Sequence, residues 1–296
     1  MPAGGEFPRR QDGIGGPGPG RTVGVSREAG TQPQPSALRS RVTDAVWFVA
    51  PLLALVAAWA VAVRTFHVPL RVFPSVGDVL LAGLQEFQRG SLFEHIRQSL
   101  TRVAVGTILA ILTSVPIGIA VATNRLVAAC LAPILRFFAV LAGIAWIPIA
   151  TLWFGYGFGA ITFVIFNAVF FVVAYNTMLG VASIPQVLRN AAASLGATRW
   201  QIFLEVLLPG ALPNIVTGIR TGMGYAWRGL IAAEMIATNA GLGYMLFLAR
   251  DFYRTEVILL GMILIGTIWL AMDRLILAPV ERRTIERWGL ARRAGA

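Results

Sequence analysis

SIPQVLRNAAASLGATRWQIFLEVLLPGALP, residues 183–213, decides how this chain is read. It is a polar-flecked interlude between two long apolar segments, and its pattern predicts two short helices with a break. Ser183 and Gln186 have the spacing of a capping box, with Pro185 in the first turn, where a missing N–H costs little. Ala191, Ala192 and Ala193 continue that helix, and Gly196 is the residue favoured by a left-handed C-terminal cap. Thr198 and Gln201 repeat the capping-box spacing and open a second helix, with Trp200, Phe203, Leu204 and Leu207 on one side. Pro209 is expected to end it. A helix of small residues lets another backbone come close, so the segment reads as a surface that docks into a groove.

Composition places this loop in a membrane protein. Apolar residues fill 56% of 296 positions and charged ones only 13%. All 25 basic residues are Arg. Without Lys there is no Walker A loop to reach nucleotide phosphates and no amine for a Schiff base. The formal charge of +11 does not point to nucleic acid, because the arginines lie mostly beside apolar spans. Cys130 stands alone, so no internal disulfide framework exists, and His67 and His95 are too far apart in sequence to suggest a metal site.

Apolar runs predict six spans: residues 45–63, 101–123, 132–154, 160–181, 215–237 and 257–277. Residues 1–41 form a Gly/Pro/Arg-rich tail, expected to be disordered; 42–281 form the membrane domain; 282–296 form a basic tail. Between the first two spans, residues 78–88 read as a short amphipathic helix. Arginine placement puts both termini and the 183–213 loop on the cytoplasmic side.

The fifth span carries the most chemistry. Gly218 and Gly222 form a small-x-x-x-small pair for close helix packing. Arg220, Arg228 and Glu234 lie at or within membrane depth, where an ionisable group usually has a function. At 100° per residue, Glu234 falls within about 40° of Arg220 and Arg228 about 80° to its other side. All three are therefore expected to border one crevice, with Arg228 and Glu234 as candidates for a translocation pathway and Arg220 snorkelling to the interface.

The order Ala191-Ala192, Leu195-Gly196-Ala197, Phe203, Leu208-Pro209 and Leu212-Pro213 resembles the EAA loop of ABC-importer permeases. Asn190 stands where that family carries Glu, so it hydrogen-bonds without a charge. Farther on, GMGYAWRGLIAAEMIA, GLGYM, MDRL and ERRTIERWG are similar to the nitrate, sulfonate, taurine and bicarbonate branch. The resemblance implies an all-α polytopic membrane protein with six transmembrane helices, the type I importer architecture and a cytoplasmic coupling helix. It assigns ATPase coupling to Asn190, Ala191, Ala192, Leu195, Gly196 and Ala197. It also implies a bacterial cell-membrane location, a second permease copy as homodimer, membrane lipid around it, and an extracytoplasmic substrate-binding protein. ATP and Mg would bind the partner ATPase subunits, leaving this chain without a cofactor or enzymatic activity. The rival reading is a stand-alone ion-coupled transporter, which needs an intramembrane carboxylate relay; Glu234 is its one candidate.

Overall fold

The structure, a computed structural model, describes residues 50–51, 54–65 and 73–287. The tail of residues 1–41 and residues 45–49 and 52–53 of the first predicted span lie outside them, as does the end of the basic tail. The chain divides into two units, Met1–Leu53 and Ala54–Ala296, and the helices described below belong to the second.

That unit is helical throughout its described residues. Its elements are α1 (Ala54–Thr65), α2 (Val76–Gln88), α3 (Ser91–Thr123), α4 (Arg125–Ala139) and α5 (Ile147–Phe154). There follow α6 (Phe158–Ala182), α7 (Gln186–Ser194), α8 (Arg199–Gln201) and α9 (Leu208–Ile236). The chain closes with α10 (Leu242–Asp251), α11 (Thr255–Met272) and α12 (Ala278–Arg287). Among the described residues, four helical runs are long and apolar enough to cross a membrane, or five if a bent pair is one span. The described part of the first predicted span, α1, is a shorter apolar helix.

Helix α6 is the centre. It is apolar on every side, and half of its most apolar stretch is buried, against 11% for the α11 run. Helices α3 and α9 flank it, and glycines set how closely they approach. A Cβ on Gly118 would lie 2.7 Å from Thr177 Cβ and 2.8 Å from the Ala174 carbonyl oxygen, so α3 touches the α6 backbone. On the other flank, Gly218 faces Asn176, and a Cβ on Gly222 would lie 3.3 Å from Val169 Cα, as the small-x-x-x-small spacing predicts. Gly118→Leu is expected to force α3 and α6 apart at a cost of about 3 kcal/mol. A lowered unfolding temperature of the detergent-purified chain checks this, and an unchanged one refutes it.

Two boundaries depart from the sequence reading. The second span extends back to Ser91, because residues 91–100 continue the helix without a breaker. The third span, predicted to be continuous over 132–154, is broken. Helix α4 ends at Ala139, a 3₁₀ turn covers Gly143–Trp146, and α5 leaves at 95° to α4. Gly143 and Pro148 flank that turn. Pro148 lies in the first turn of α5, where its missing N–H costs little, so α5 starts afresh there.

Helix α2 begins at Ser75, whose hydroxyl and backbone N–H both bond Asp78, and these bonds hold the Asp78 carboxyl below its ordinary range. Glu86 ties α2 to the start of α11 through Arg254 at 3.0 Å. Partial burial raises the Glu86 carboxyl, but the Ser91 hydroxyl and the Arg254 and Arg89 guanidiniums outweigh it, and the group stays below the usual carboxylate range.

Candidate functional site

The 183–213 loop folds as a helix, a turn and a second helix, though not with the boundaries its sequence suggests. Ser183 does not cap α7. It ends α6, where its hydroxyl donates to the Gly180 carbonyl at 2.8 Å, and Pro185 is the residue before α7. Proline brings a fixed φ to that position, so the turn needs no side-chain cap. At the other end the prediction holds. Gly196 takes φ +85°, its N–H donates to Ala193 O at 3.0 Å, and the Ala197 N–H donates to Ala192 O at 3.1 Å. These two bonds make a Schellman motif, which closes the free carbonyls of α7. Thr198 and Gln201 then form a reciprocal capping box, with bonds of 2.8 and 3.3 Å.

Pro209 does not end the second helix. A π-helical turn at Ile202–Leu207 joins α8 to α9, and the helix runs on to Ile236. The wider turn makes room for the proline ring against the preceding carbonyls, which a regular α-helix would not.

This loop presents apolar side chains outward. Leu195 is 89% exposed at its tip, and Val187, Leu188 and Trp200 are exposed beside it. Asn190, Ala191 and Gly196 are exposed as well, while Ala192 and Ala197 are half-buried. A cleft of about 620 Å³ separates α7 from the α3–α4 turn, with Arg125, Arg189, Arg199 and Asn190 on its walls. The six residues that the resemblance assigns to coupling therefore lie on the second half of α7 and the capped turn that follows it.

Arg228 lies elsewhere, on a cavity of about 420 Å³ formed where α4 breaks away from α6 and α9. Tyr225 and Asn167 share its wall, and no carboxylate does. Asn167 is buried and uses one amide N–H on Phe163 O at 2.9 Å, keeping its other polar groups uncommitted. Arg228 makes no hydrogen bond or ion pair among the described residues. Its guanidinium thus offers a fork of donors to a ligand entering the cavity.

Glu234 does not line that cavity. Fully buried, it receives a hydrogen bond from Arg102 Nη1 at 2.7 Å, from the Ser99 hydroxyl at 2.8–2.9 Å to both oxygens, and from the Gly243 N–H at 3.0 Å. Arg102, 3% exposed, also donates to Ala240 O at 2.7 Å and to Gln98 and Thr238 at 3.0 Å. The Leu242 N–H donates to Ser99, and the Gly241 N–H to His95 Nδ1. Gly241 sits at φ +121° directly against the Glu234 carboxyl, a position that any Cβ would invade. The network pins the 237–243 turn onto α3.

Sequence reading missed Ser99 and His95, which precede the second span it predicted, and Arg102, which it placed inside that span without a role. A signal was present: polar residues spaced four and then three apart on a helix otherwise rich in apolar residues mark one face.

The expectation of one crevice shared by Arg220, Arg228 and Glu234 is therefore wrong. Arg220 makes a bidentate pair with Asp273 at 2.7 and 2.8 Å and a further bond to Glu281, tying α9 to the end of α11 and to α12. Fourteen residues separate Arg220 from Glu234, about 21 Å along a helix. A shared angular face does not bring such residues together.

Residues 114–278 match the family described as "binding-protein-dependent transport system inner membrane component", and the chain belongs to that family. It is a transmembrane permease of an ABC transporter, on the nitrate, sulfonate, taurine and bicarbonate branch. Its relatives include the taurine transport system permease protein TauC of Escherichia coli, 38% identical over 83% of this chain and 90% of TauC. The nitrate import permease protein NrtB of Leptolyngbya laminosa is 32% identical over 70% of this chain and 75% of NrtB. The bicarbonate transport system permease protein CmpB of Synechococcus elongatus is 37% identical over 62% and 67%. The fold matches a chain of the MetNI methionine ABC transporter, solved in inward-facing conformations, with TM-score 0.52 over 66% of this chain and 98% of that one at 23% identity.

Proposed function

We propose that this permease imports a small anion: taurine or another aliphatic sulfonate, nitrate or bicarbonate. The observation that carries the anion reading is Arg228, an arginine without an acidic partner among the described residues, facing a cavity between membrane helices. An unpaired guanidinium at membrane depth is expensive unless a ligand or water-filled space faces it. The relatives that carry taurine, nitrate and bicarbonate in their names support the same substrate class.

In this reading residues 42–281 are the permease domain, flanked by the tails of residues 1–41 and 282–296. Two copies form the pathway in the bacterial inner membrane, in contact with lipid, and both termini face the cytoplasm. Residues Asn190, Ala191, Ala192, Leu195, Gly196 and Ala197 dock on ATPase subunits, which bind ATP and Mg, and an extracytoplasmic binding protein delivers the substrate. ATP closes the ATPase pair, the coupling turns move with it, and the helices switch between outward and inward access. Only a contact that differs between the two states can bias them. The Schellman-capped turn and its exposed Leu195 suit a rigid contact of that kind. Glu234 is assigned a positioning role, since its carboxylate is committed to Arg102, Ser99 and Gly243. That commitment also removes the proton relay that a stand-alone transporter needs.

Arg228→Ala is expected to lower uptake at least about a hundredfold, with the complex still assembled and Arg228→Lys partly active. Uptake of labelled taurine, nitrate and bicarbonate by cells expressing the whole importer is the measurement. Unchanged uptake of the anion that wild type carries would remove Arg228 from the pathway.

A further inference from the structure

A second cavity continues from the one at Arg228. Its volume is about 350 Å³, and its walls include Arg136 on α4 and Tyr175 and Met178 on α6. Ala139 and Phe171 line both cavities, so the two share a wall. On α6 the first extends from Asn167 and the second to Met178, eleven residues or about 16 Å toward the coupling loop.

Charge pairing distinguishes the arginines of these helices. Arg102 is neutralised by Glu234, and Arg220 by Asp273 and Glu281. Arg136 and Arg228 have no hydrogen bond or ion pair among the described residues, and each lines one of the two cavities. The partition of the shared wall is aromatic: Phe171 stacks on Phe138 with ring centroids 6.2 Å apart and 19° between planes.

We propose that Arg136 is a second anion station, reached from Arg228 by passing the Phe171 side chain. The proposal rests on the anion-import reading above and adds a route to it. A single strong arginine site would hold an anion as firmly as it captures it. Two weaker sites in series, separated by an apolar ring, let the anion leave the first without returning fully to water. Arg136 lies on the coupling-loop side of Phe171, so it receives the anion after Arg228 and before release. In this arrangement Phe171 is the barrier that a change of helix packing must move.

The test uses the assembled importer, with its ATPase and binding protein, in phosphatidylethanolamine–phosphatidylglycerol liposomes. Isotopically labelled taurine, nitrate and bicarbonate are offered separately. Arg136→Ala is expected to lower the maximal uptake rate roughly tenfold, to leave the half-saturating concentration within about twofold, and to leave ATP hydrolysis running. Arg136→Lys should restore most of the rate, and Arg136→Glu should abolish it. A rescue by Lys and a selective loss of maximal rate separate transport from mere support of the fold. Wild-type uptake in both Arg136→Ala and Arg136→Glu, with Arg228→Ala still inactive, overturns the second station and leaves the anion reading standing. Wild-type uptake in Arg228→Ala overturns that reading itself. If Arg136→Ala does not co-purify with the ATPase, Arg136→Gln takes its place, and loss of assembly there too makes the residue structural and refutes the proposal.

Discussion

Replacing Glu234 with alanine is expected to destabilise the protein by about 3–5 kcal/mol, enough to eliminate most of the folded chain. The reason is asymmetry. Arg102 is 3% exposed and Glu234 fully buried, so removing the carboxylate leaves a guanidinium in a low-dielectric interior with no counter-charge. The same change strips acceptors from the Ser99 hydroxyl and the Gly243 N–H, releasing the 237–243 turn from α3. Thermal unfolding of the detergent-purified chain, followed by its monodisperse fraction, reads the effect. Removing both charges together, as in Arg102→Met with Glu234→Leu, should recover much of the stability, because neither ion is then stranded. A Glu234→Ala protein with the wild-type unfolding temperature would show that the pair contributes nothing. Uptake data on Glu234 variants therefore need a stability control beside them.

Gly196→Trp is expected to give the other large effect, at the opposite end of α9. A tryptophan there should cut ATP hydrolysis by the co-purified ATPase to the level of the free subunit, or prevent association altogether. Two causes contribute, and they separate experimentally. Gly196 sits at φ +85°, where any side chain is strained by about 1–2 kcal/mol, and an alanine there carries the same strain. Among the described residues, none besides its two chain neighbours comes within 4 Å of the Cβ position, so the bulk of the indole would meet a docked partner. Gly196→Ala should therefore retain most of the stimulated hydrolysis while Gly196→Trp loses it. Leu195→Asp offers an independent check, since Leu195 is 89% exposed and its replacement leaves the backbone unstrained. If all three variants hydrolyse ATP as the wild type does, the turn is not the docking surface.

The two effects meet in the helices between them. On the proposed reading, motion at residues 190–197 would reach the cavities through α6 and α9, whose glycine contacts bring the backbones together. The turn held by Glu234 lies beyond the far end of α9. On the same reading, a far end held by Glu234 and a capped docking turn would leave the middle of the bundle to change between access states. That region contains Arg228, Phe171 and Arg136.

Much of the architecture was legible because it depends on local chemistry. Runs of about 20 apolar residues must cross a bilayer as helices, since no other open structure satisfies its own backbone there. The Gly196 cap and the Thr198–Gln201 box involve residues within a few positions of one another, so their sequence spacing already specifies the geometry. The turn proposed for coupling could be located for the same reason, and so could the Gly218–Gly222 packing face.

Other features depend on partners distant in the chain. Ser183 has the spacing of a cap, yet the end of α6 claims its hydroxyl. Pro209 reads as a terminator, but a π turn absorbs it inside a continuous helix. Arg220, Arg228 and Glu234 look alike along one helix, whereas residues 53 and 132 positions away decide which of them are neutralised. The sequence by itself determined the class of protein, its helical character and the capped turn after α7, because hydrophobic length and capping are local. Only the tertiary structure separated the paired charges from the free ones, because pairing depends on which helices meet. That separation assigns Arg102, Arg220 and Glu234 to holding the fold and leaves Arg228 and Arg136 facing the cavities.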